Sequence, residues 1–431
     1  MKDKKNNVFI TGFKKYIFYI RIALHVVIHF FVKMLKGEIS LKKYIVFVYR
    51  AYIFLKVVRH NKIVRLGEKY KIHLYIPAYP TRSFFYTLEK LLRDEPGPAT
   101  VVFSMTKACM YKCPHCYQQK DLNDEIDVAT LIKTAHSMQD IGVSMFDIEG
   151  GEPLLKLERL LRLMNSIDDR SEIWLNTTGY GVKEATVKKL ASAGISGVMV
   201  SIHIADPLAY DRFTGIKGSF EEACEAIHLF NKYKIFTAIN CCPSPENILG
   251  NGIKDMMELS YELDCSYVQI IHGKSAGAWL GKKDEFNDSS LIERLRKYHI
   301  QYNGKGVYKD HPSLSAQVFE ESEDIFGCTA GGVDRFYIGS SGEVQPCEFL
   351  NISFGNVKDE DFITIFRRMR SFFKIPGSSW LCCTKASFIN EVINKHNIET
   401  TPVPWEITKT FISKWDKGRE TALYKKLGIY R

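Results

Sequence analysis

Three things are missing from this sequence. It contains no run of about 18 uncharged apolar residues, no cleavable leader ending in small residues, and no internal repeat beyond an alternation of strand-like and helix-like runs. The first absence removes a clean transmembrane span as the default reading. The second removes a secretory route, so the 11 cysteines are not a disulfide framework. Their odd number, and the position of several inside apolar strands, point to reduced thiols and metal ligands in a cytosolic, anaerobic setting. Acid is scarce at the start of the chain. Residues 1–75 carry 17 Lys and Arg against Asp3, Glu38 and Glu68, a balance of +14, while the remainder balances at −4.

What is present at the N-terminus is apolar as well as basic. Residues 13–36 read as one helix whose Lys14, Lys15, Arg21, His25, His29, Lys33 and Lys36 share one arc, opposite a wide Phe, Ile, Tyr and Val face. A second apolar segment runs from Leu41 to Val58 with Lys42, Lys43, Arg50 and Lys56. This pattern fits a helix pair lying on an anionic membrane surface, each basic residue contributing roughly 1 kcal/mol. The alternatives are packing against the protein itself or a dimer, with the charges solvated, and a true membrane span. The segment is too apolar for a phosphate-binding arm, so nucleic acid is not expected. Location is therefore expected to be cytoplasmic, peripheral on the inner face of the cell membrane.

The length of 431 residues, with 45% hydrophobic and 25% charged side chains, suits a globular chain of two or three units. Residues 1–63 form the basic helical segment. Residues 64–97 read as a Pro- and Gly-punctuated connector with a strand over 71–76. From Ala99 a regular alternation begins, with strand-like runs ending near Met105, Ile148, Leu175, Ser201, Asn240 and Ile271. Helix-like runs lie between them. The fold class is α/β: six such units imply a parallel sheet with right-handed crossovers, a partial (β/α)6 TIM-type barrel over 98–304, with ligands at the C-terminal strand ends.

The first strand leads into Cys109-Met110-Tyr111-Lys112-Cys113-Pro114-His115-Cys116, a C-x3-C-x2-C spacing. Three thiolates on one loop can hold three irons of a [4Fe–4S] cluster and leave the fourth open. A structural zinc site wants a fourth ligand, for which His115 is the local candidate. The second strand ends in Gly150-Gly151-Glu152-Pro153, where two glycines permit close backbone approach to a ligand and Glu152 offers an acceptor for a cation. A plain turn is the alternative. Asn176 and Ser201 stand at the ends of the third and fourth strands, as ribose partners or as strand caps. The sixth strand carries Ile270 on an apolar edge suited to an adenine face. Cys224, Cys241, Cys242 and Cys265 read as buried small hydrophobes.

Past residue 304 the pattern changes to Cys328-x13-Gly342-x4-Cys347 around a β-hairpin, followed by the vicinal pair Cys382 and Cys383. A zinc hairpin is the alternative to an iron–sulfur site. Residues 386–431, with Trp405, Trp415 and Tyr424, read as a tail that either covers the active-site mouth or simply packs.

The C-x3-C-x2-C loop after a first strand, followed by G-G-E-P after a second, resembles the radical S-adenosylmethionine (SAM) superfamily. The resemblance covers roughly residues 98–300. It implies that Cys109, Cys113 and Cys116 hold the SAM-binding cluster, that Gly150, Gly151, Glu152 and Pro153 receive the methionine amino group, and that Ser201, Asn176 and Ile270 lie along the nucleoside. Residues 305–385 resemble the small α+β SPASM or twitch extension with one auxiliary cluster, whose ligands would be Cys328, Cys347 and at least one of Cys382 and Cys383. The full SPASM cysteine set is absent. The resemblance further implies reductive cleavage of SAM to a 5′-deoxyadenosyl radical, hydrogen abstraction from a peptide or protein, and reduced flavodoxin or ferredoxin as electron donor. Two alternatives remain open: the same chemistry on a lipid or membrane-bound small molecule, and a non-catalytic iron–sulfur or zinc adaptor.

Overall fold

The structure, a computed structural model, describes residues 5–282 and 288–430. The N-terminal unit runs β1 (Asn7–Ile10), α1 (Gly12–Leu35), α2 (Leu41–Val58), β2 (Ile63–Leu66), β3 (Lys69–Lys71) and α3 (Arg82–Glu89). Ser40 caps α2 by accepting from Lys43 N–H at 3.3 Å, and Thr81 caps α3 through Phe84 N–H at 3.2 Å. The three strands form one antiparallel sheet. The strand expected over 71–76 stops at Lys71. Its alternation is real but has no ladder partner: Ile72 and Ile76 enter the cluster beneath α1, while Leu74 enters another with Val64, Met145, Trp174, Met199 and Tyr267. The supposed connector and the first 63 residues therefore share one core, and together they close the N-terminal end of the main sheet.

Lys71 fastens that closure. Its ammonium donates to Glu172 Oε1 at 2.6 Å with both side chains buried, and Trp174 Nε1 and Ala78 N–H donate to the same carboxylate at 2.5 and 2.6 Å. A buried pair is tolerated only when its remaining acceptors are filled, as they are here.

The core then alternates β4 (Thr100–Ser104), α4 (Val128–Asp140), β5 (Met145–Glu149), α5 (Leu157–Ser166), β6 (Glu172–Thr177), α6 (Glu184–Ser192), β7 (Gly197–Ser201), α7 (Pro207–Thr214), α8 (Ser219–Lys232), β8 (Phe236–Cys241), α9 (Pro245–Leu249), α10 (Gly252–Glu262), β9 (Tyr267–Ile270), α11 (Ser289–Asn303), β10 (Ser313–Ala316) and α12 (Gln317–Glu320). Strands β4 to β10 are parallel neighbours in sequence order. The fold is the expected α/β partial barrel, but it holds a seventh strand. β10 reads Ser-Leu-Ser-Ala, too short and polar to announce a buried strand. It is tolerated inside because Ser313 Oγ donates to Asn303 Oδ1 at 2.8 Å and Ser315 Oγ to Glu320 Oε2 at 2.7 Å.

At the other edge, β11 (Arg335–Ile338) pairs in parallel with β4, and β12 (Val344–Gln345) closes the expected hairpin. A boundary at residue 304 thus cuts through one nine-stranded open sheet. Helices α13 (Phe362–Phe372), α14 (Leu381–Thr384) and α15 (Ala386–Lys395) follow. In the tail, Trp405 stacks on Phe354 at 5.4 Å, Trp415 stacks on Phe411 at 5.4 Å, and Tyr424 is buried. The carbonyls of Leu427 and Gly428 accept from Arg50 of α2 at 2.9 and 3.0 Å. The tail packs, and none of its three named aromatics lines the active-site cavity.

Candidate active site

The C-terminal ends of β4 to β9 open into one cavity of about 470 Å³. Cys109, Cys113 and Cys116 line it from the loop after β4, Cys109 exposed and the other two half-buried, all with free thiols. Burial pushes the Cys113 thiol up to about 12. Three such sulfurs are poor thiolates alone and gain strongly from a cationic metal centre. His115, the candidate fourth zinc ligand, is packed in a ring cluster with His203 at 4.4 Å, Phe213 at 5.0 Å and Trp279 at 5.8 Å.

Gly150 and Gly151 lie against the cysteine loop rather than in a free turn. Gly151 N–H donates to Thr106 O at 2.8 Å and Glu152 N–H to Ala108 O at 2.7 Å. A Cβ on Gly150 would fall 2.3 Å from Thr106 O, and one on Gly151 2.4 Å from Ala108 O. Neither glycine has a positive φ. The two glycines are thus required by backbone contact with the metal loop, a reason the motif alone does not give.

Glu152 differs from its expected role as a free acceptor. It is fully buried, and its carboxylate takes Leu154 N–H at 3.0 Å, Thr177 Oγ1 at 2.8 Å, and Thr178 N–H and Oγ1 both at 2.6 Å. It joins the β5 turn to the end of β6 and does not line the cavity. Pro153 starts a short 3-10 turn behind it. Two carboxylates do line the cavity, Asp121 and Glu149, and the sequence reading left Glu149 without a role. Its Oε1 accepts from Tyr117 Oη and from Gln118 Nε2 at 3.0 Å. Burial raises its pKa to about 7.

Asn176 and Ser201 line the cavity, joined by Asn240. The side-chain oxygens of Asn176 and Asn240 are buried without a hydrogen-bond partner, which is costly unless a ligand donates to them. Ile270 corrects the expectation: it is buried in the core on the far face of β9, and Ile271, one residue on, lines the cavity. A shift of one residue along a strand exchanges faces.

The second cysteine group does not itself line the cavity. Cys328, Cys347 and Cys382 are near enough to perturb one another electrostatically in sequence, Cys328 on Cys347 and Cys347 on Cys382, with Cys383 hydrogen-bonding Cys382. Burial drives the Cys328 and Cys347 thiols up. Arg335 Nη2 stands 4.0 Å from Cys347 Sγ and bridges Glu321 at 3.0 Å. Lys274 links this group to the cavity: it lines the cavity and donates to Cys383 Sγ at 3.6 Å, 2.9 Å from His272 Nδ1 and 4.3 Å from the Trp380 ring centroid. Phe349, two residues after Cys347, lines the same cavity and meets Tyr117 edge-on at 5.5 Å.

Residues 103–248 match the Radical SAM superfamily and residues 328–383 match an iron-sulfur cluster-binding domain, SPASM. The chain is a radical SAM enzyme. Curated relatives include the AdoMet-dependent heme synthase of Methanosarcina barkeri, 22% identical over 66% of this chain and 88% of that protein. Another is the PqqA peptide cyclase of Gluconobacter oxydans, 25% identical over 66% of this chain and 80% of that one. Streptococcus suis SuiB bound to precursor peptide SuiA shares the fold at a TM-score of 0.53, with 16% identity over 72% of this chain and 77% of SuiB. SuiB bound to S-adenosylmethionine aligns at a TM-score of 0.52 with 16% identity, covering 74% and 82%.

The radical SAM enzyme carries a SAM-binding [4Fe–4S] cluster, SAM, and auxiliary iron–sulfur chemistry in its SPASM domain. The donors fit. Two all-sulfur groups suit iron–sulfur clusters, and orphaned amide oxygens beside the first suit a hydroxyl-bearing ligand. A different trio, His60, His299 and Glu320, has its ligand atoms within 4.8 Å of one another. It does not suit a metal: His299 Nδ1 accepts from Ala316 N–H at 3.2 Å, so its Nε2 carries the proton and offers no lone pair.

Proposed function

We propose that this radical SAM enzyme modifies a peptide or protein side chain by hydrogen abstraction. The observation that carries the reading is one cavity lined by Cys109, Cys113 and Cys116 together with Lys274 and Phe349, with Lys274 donating in turn to Cys383 Sγ of the second cysteine group at 3.6 Å. A substrate side chain entering it would meet the first cysteine loop and Lys274, the cation that contacts the second cysteine group. The named activity of the PqqA peptide cyclase and the precursor peptide bound by SuiB support a peptide as the occupant.

Cys109, Cys113 and Cys116 would hold three irons and leave the fourth for SAM, which supplies a carbon-centred radical once one electron arrives from a reduced flavodoxin or ferredoxin. The chain's own residues position and shield. Asn176, Ser201 and Asn240 would take hydroxyl and amino protons of the bound nucleoside. Glu149, with its carboxyl near neutrality, would accept from an amino or hydroxyl group beside Gly150. Tyr111, Trp279 and Phe349 would exclude water. Cys328, Cys347, Cys382 and Cys383 would hold the auxiliary site, with Lys274 and Arg335 offsetting the thiolate charge.

The test is anaerobic incubation with SAM, reductant and the short peptide encoded nearest the gene, read by mass spectrometry. A peptide mass change accompanied by 5′-deoxyadenosine supports the reading. Deoxyadenosine formation that no peptide stimulates, with a lipid or tetrapyrrole fraction stimulating it instead, overturns the peptide assignment.

A further inference from the structure

Helix α1 is oriented opposite to a water-facing helix. Part of its polar side is held against the protein: Lys15 Nζ donates to Arg59 O at 2.8 Å, His25 Nδ1 lies 2.6 Å from Tyr79 Oη, His29 stacks on Phe85 at 4.4 Å, and Lys33 pairs with Glu89. Phe18, Ile22, Val26 and Phe30 complete that inner face. The outer face is the apolar one. Ile17, Ile20, Leu24, Ile28, Phe31 and Leu35 recur every three or four residues and are all exposed, Ile20 at 61% and Leu35 at 69%. Beside them α2 exposes Leu41, Ile45, Tyr49 and Tyr52. A continuous apolar surface across two helices is what a soluble monomer avoids.

Its rim decides the partner. Lys14, Arg21, Lys36, Lys42, Lys43 and Lys56 are exposed around it. Glu38 is the one acid between residues 12 and 58. Lys56 Nζ sits 4.3 Å from the exposed Tyr52 ring, an aromatic–cation pair suited to a lipid interface. Two copies of this face would bring like charges together. An anionic lipid surface would neutralise them and take up the apolar side chains.

We propose that α1 and α2 form a monolayer-docking face for anionic lipid, with the outer side chains entering about 5–10 Å. α1 is long and apolar enough to cross a membrane, but its inner face is committed to Tyr79, Phe85 and Glu89. It therefore lies along the surface. This inference is independent of the peptide reading above.

The test is vesicle flotation of the full anaerobically purified chain. Wild type should float with phosphatidylcholine–phosphatidylglycerol vesicles, and much less with phosphatidylcholine alone or at high salt. The triple variant Ile20→Glu, Leu24→Glu, Ile28→Glu should partition about tenfold less while still forming 5′-deoxyadenosine. Lys14→Gln, Lys36→Gln, Lys42→Gln and Lys43→Gln together should remove the preference for phosphatidylglycerol. As a second readout, Leu24→Trp should show quenching by brominated lipid beyond that of wild type. Wild type remaining at the bottom of the gradient, equal flotation of the triple variant, or a wild-type dimer that the triple variant splits without any lipid binding would each overturn the proposal.

Discussion

Glu152 carries four hydrogen bonds with two oxygens, and that saturation distinguishes a positioning residue from a ligand. Gln at this site keeps the shape but meets two of the four donors with an NH2 group. Glu152→Gln should therefore lower unfolding free energy by about 1–3 kcal/mol, read as a shift in denaturant midpoint, while iron content stays near that of wild type. A large fall in iron with unchanged stability would instead place Glu152 at the metal site. Residue identities were legible in sequence where the chemistry is local. Cys109, Cys113 and Cys116 stand out as one metal-binding loop by their spacing. Ile270 and Ile271 show the limit: which of two adjacent isoleucines faces the cavity depends on strand parity at β9, and the chain leaves the ladder there. Glu149 and Lys274 were illegible because their partners, Tyr117 and Cys383, come from distant segments.

At the scale of elements, the contact between the β5 turn and the cysteine loop leaves no room for a side chain at Gly150 or Gly151. Gly150→Ala puts a methyl group 2.3 Å from a backbone oxygen, so the loop must shift. A stability loss of about 1–3 kcal/mol is expected, with reduced iron occupancy at the first cluster measured by chemical iron assay. An Ala variant with wild-type iron and stability would contradict the docking role of the glycines.

A second element-scale junction lies where α2, α11 and β10 meet. Burial lowers His60 to about 4 and His299 to about 3. Both folded values lie below the ordinary histidine value of about 6.5, so the unfolded chain binds more protons. Their stabilisation is present above about pH 6.5 and is lost as pH falls through 4 toward 3. For His60 alone the loss reaches ~3 kcal/mol by about pH 4. Urea titrations at stepped pH should show that fall, reduced in a His60→Gln variant; a flat profile from pH 7 to 4 would contradict it. Helices α4, α5, α6, α8 and α10 were legible because each has a 3.6-residue apolar period, whereas the short α7 and α9 were not. β10 was not, since Ser313 and Ser315 are buried by virtue of Asn303 and Glu320 rather than by their own hydrophobicity.

At the scale of the whole molecule, one sheet joins both cysteine groups. β11 pairs with β4, the strand that leads into Cys109, so the hairpin that precedes Cys347 belongs to the same sheet as the strand that precedes the first metal loop. That pairing spans more than 200 residues of chain and leaves no local trace, which is why the sequence reads with a boundary between 98–304 and 305–385. The inverted orientation of α1 is likewise a tertiary choice. Amphipathicity gives two faces, and only the partners Tyr79, Phe85 and Glu89 decide which is inside.

The central claim is that Cys109, Cys113 and Cys116 hold an open-iron cluster that reductively cleaves SAM. The measurement that meets it most directly is 5′-deoxyadenosine formed anaerobically by reconstituted, reduced wild type and by Cys113→Ala. Wild type should form it, and the variant should form none and lose about four irons while keeping its auxiliary iron. Iron-loaded wild type that yields no deoxyadenosine, or a Cys113→Ala variant that yields as much as wild type, would contradict the account.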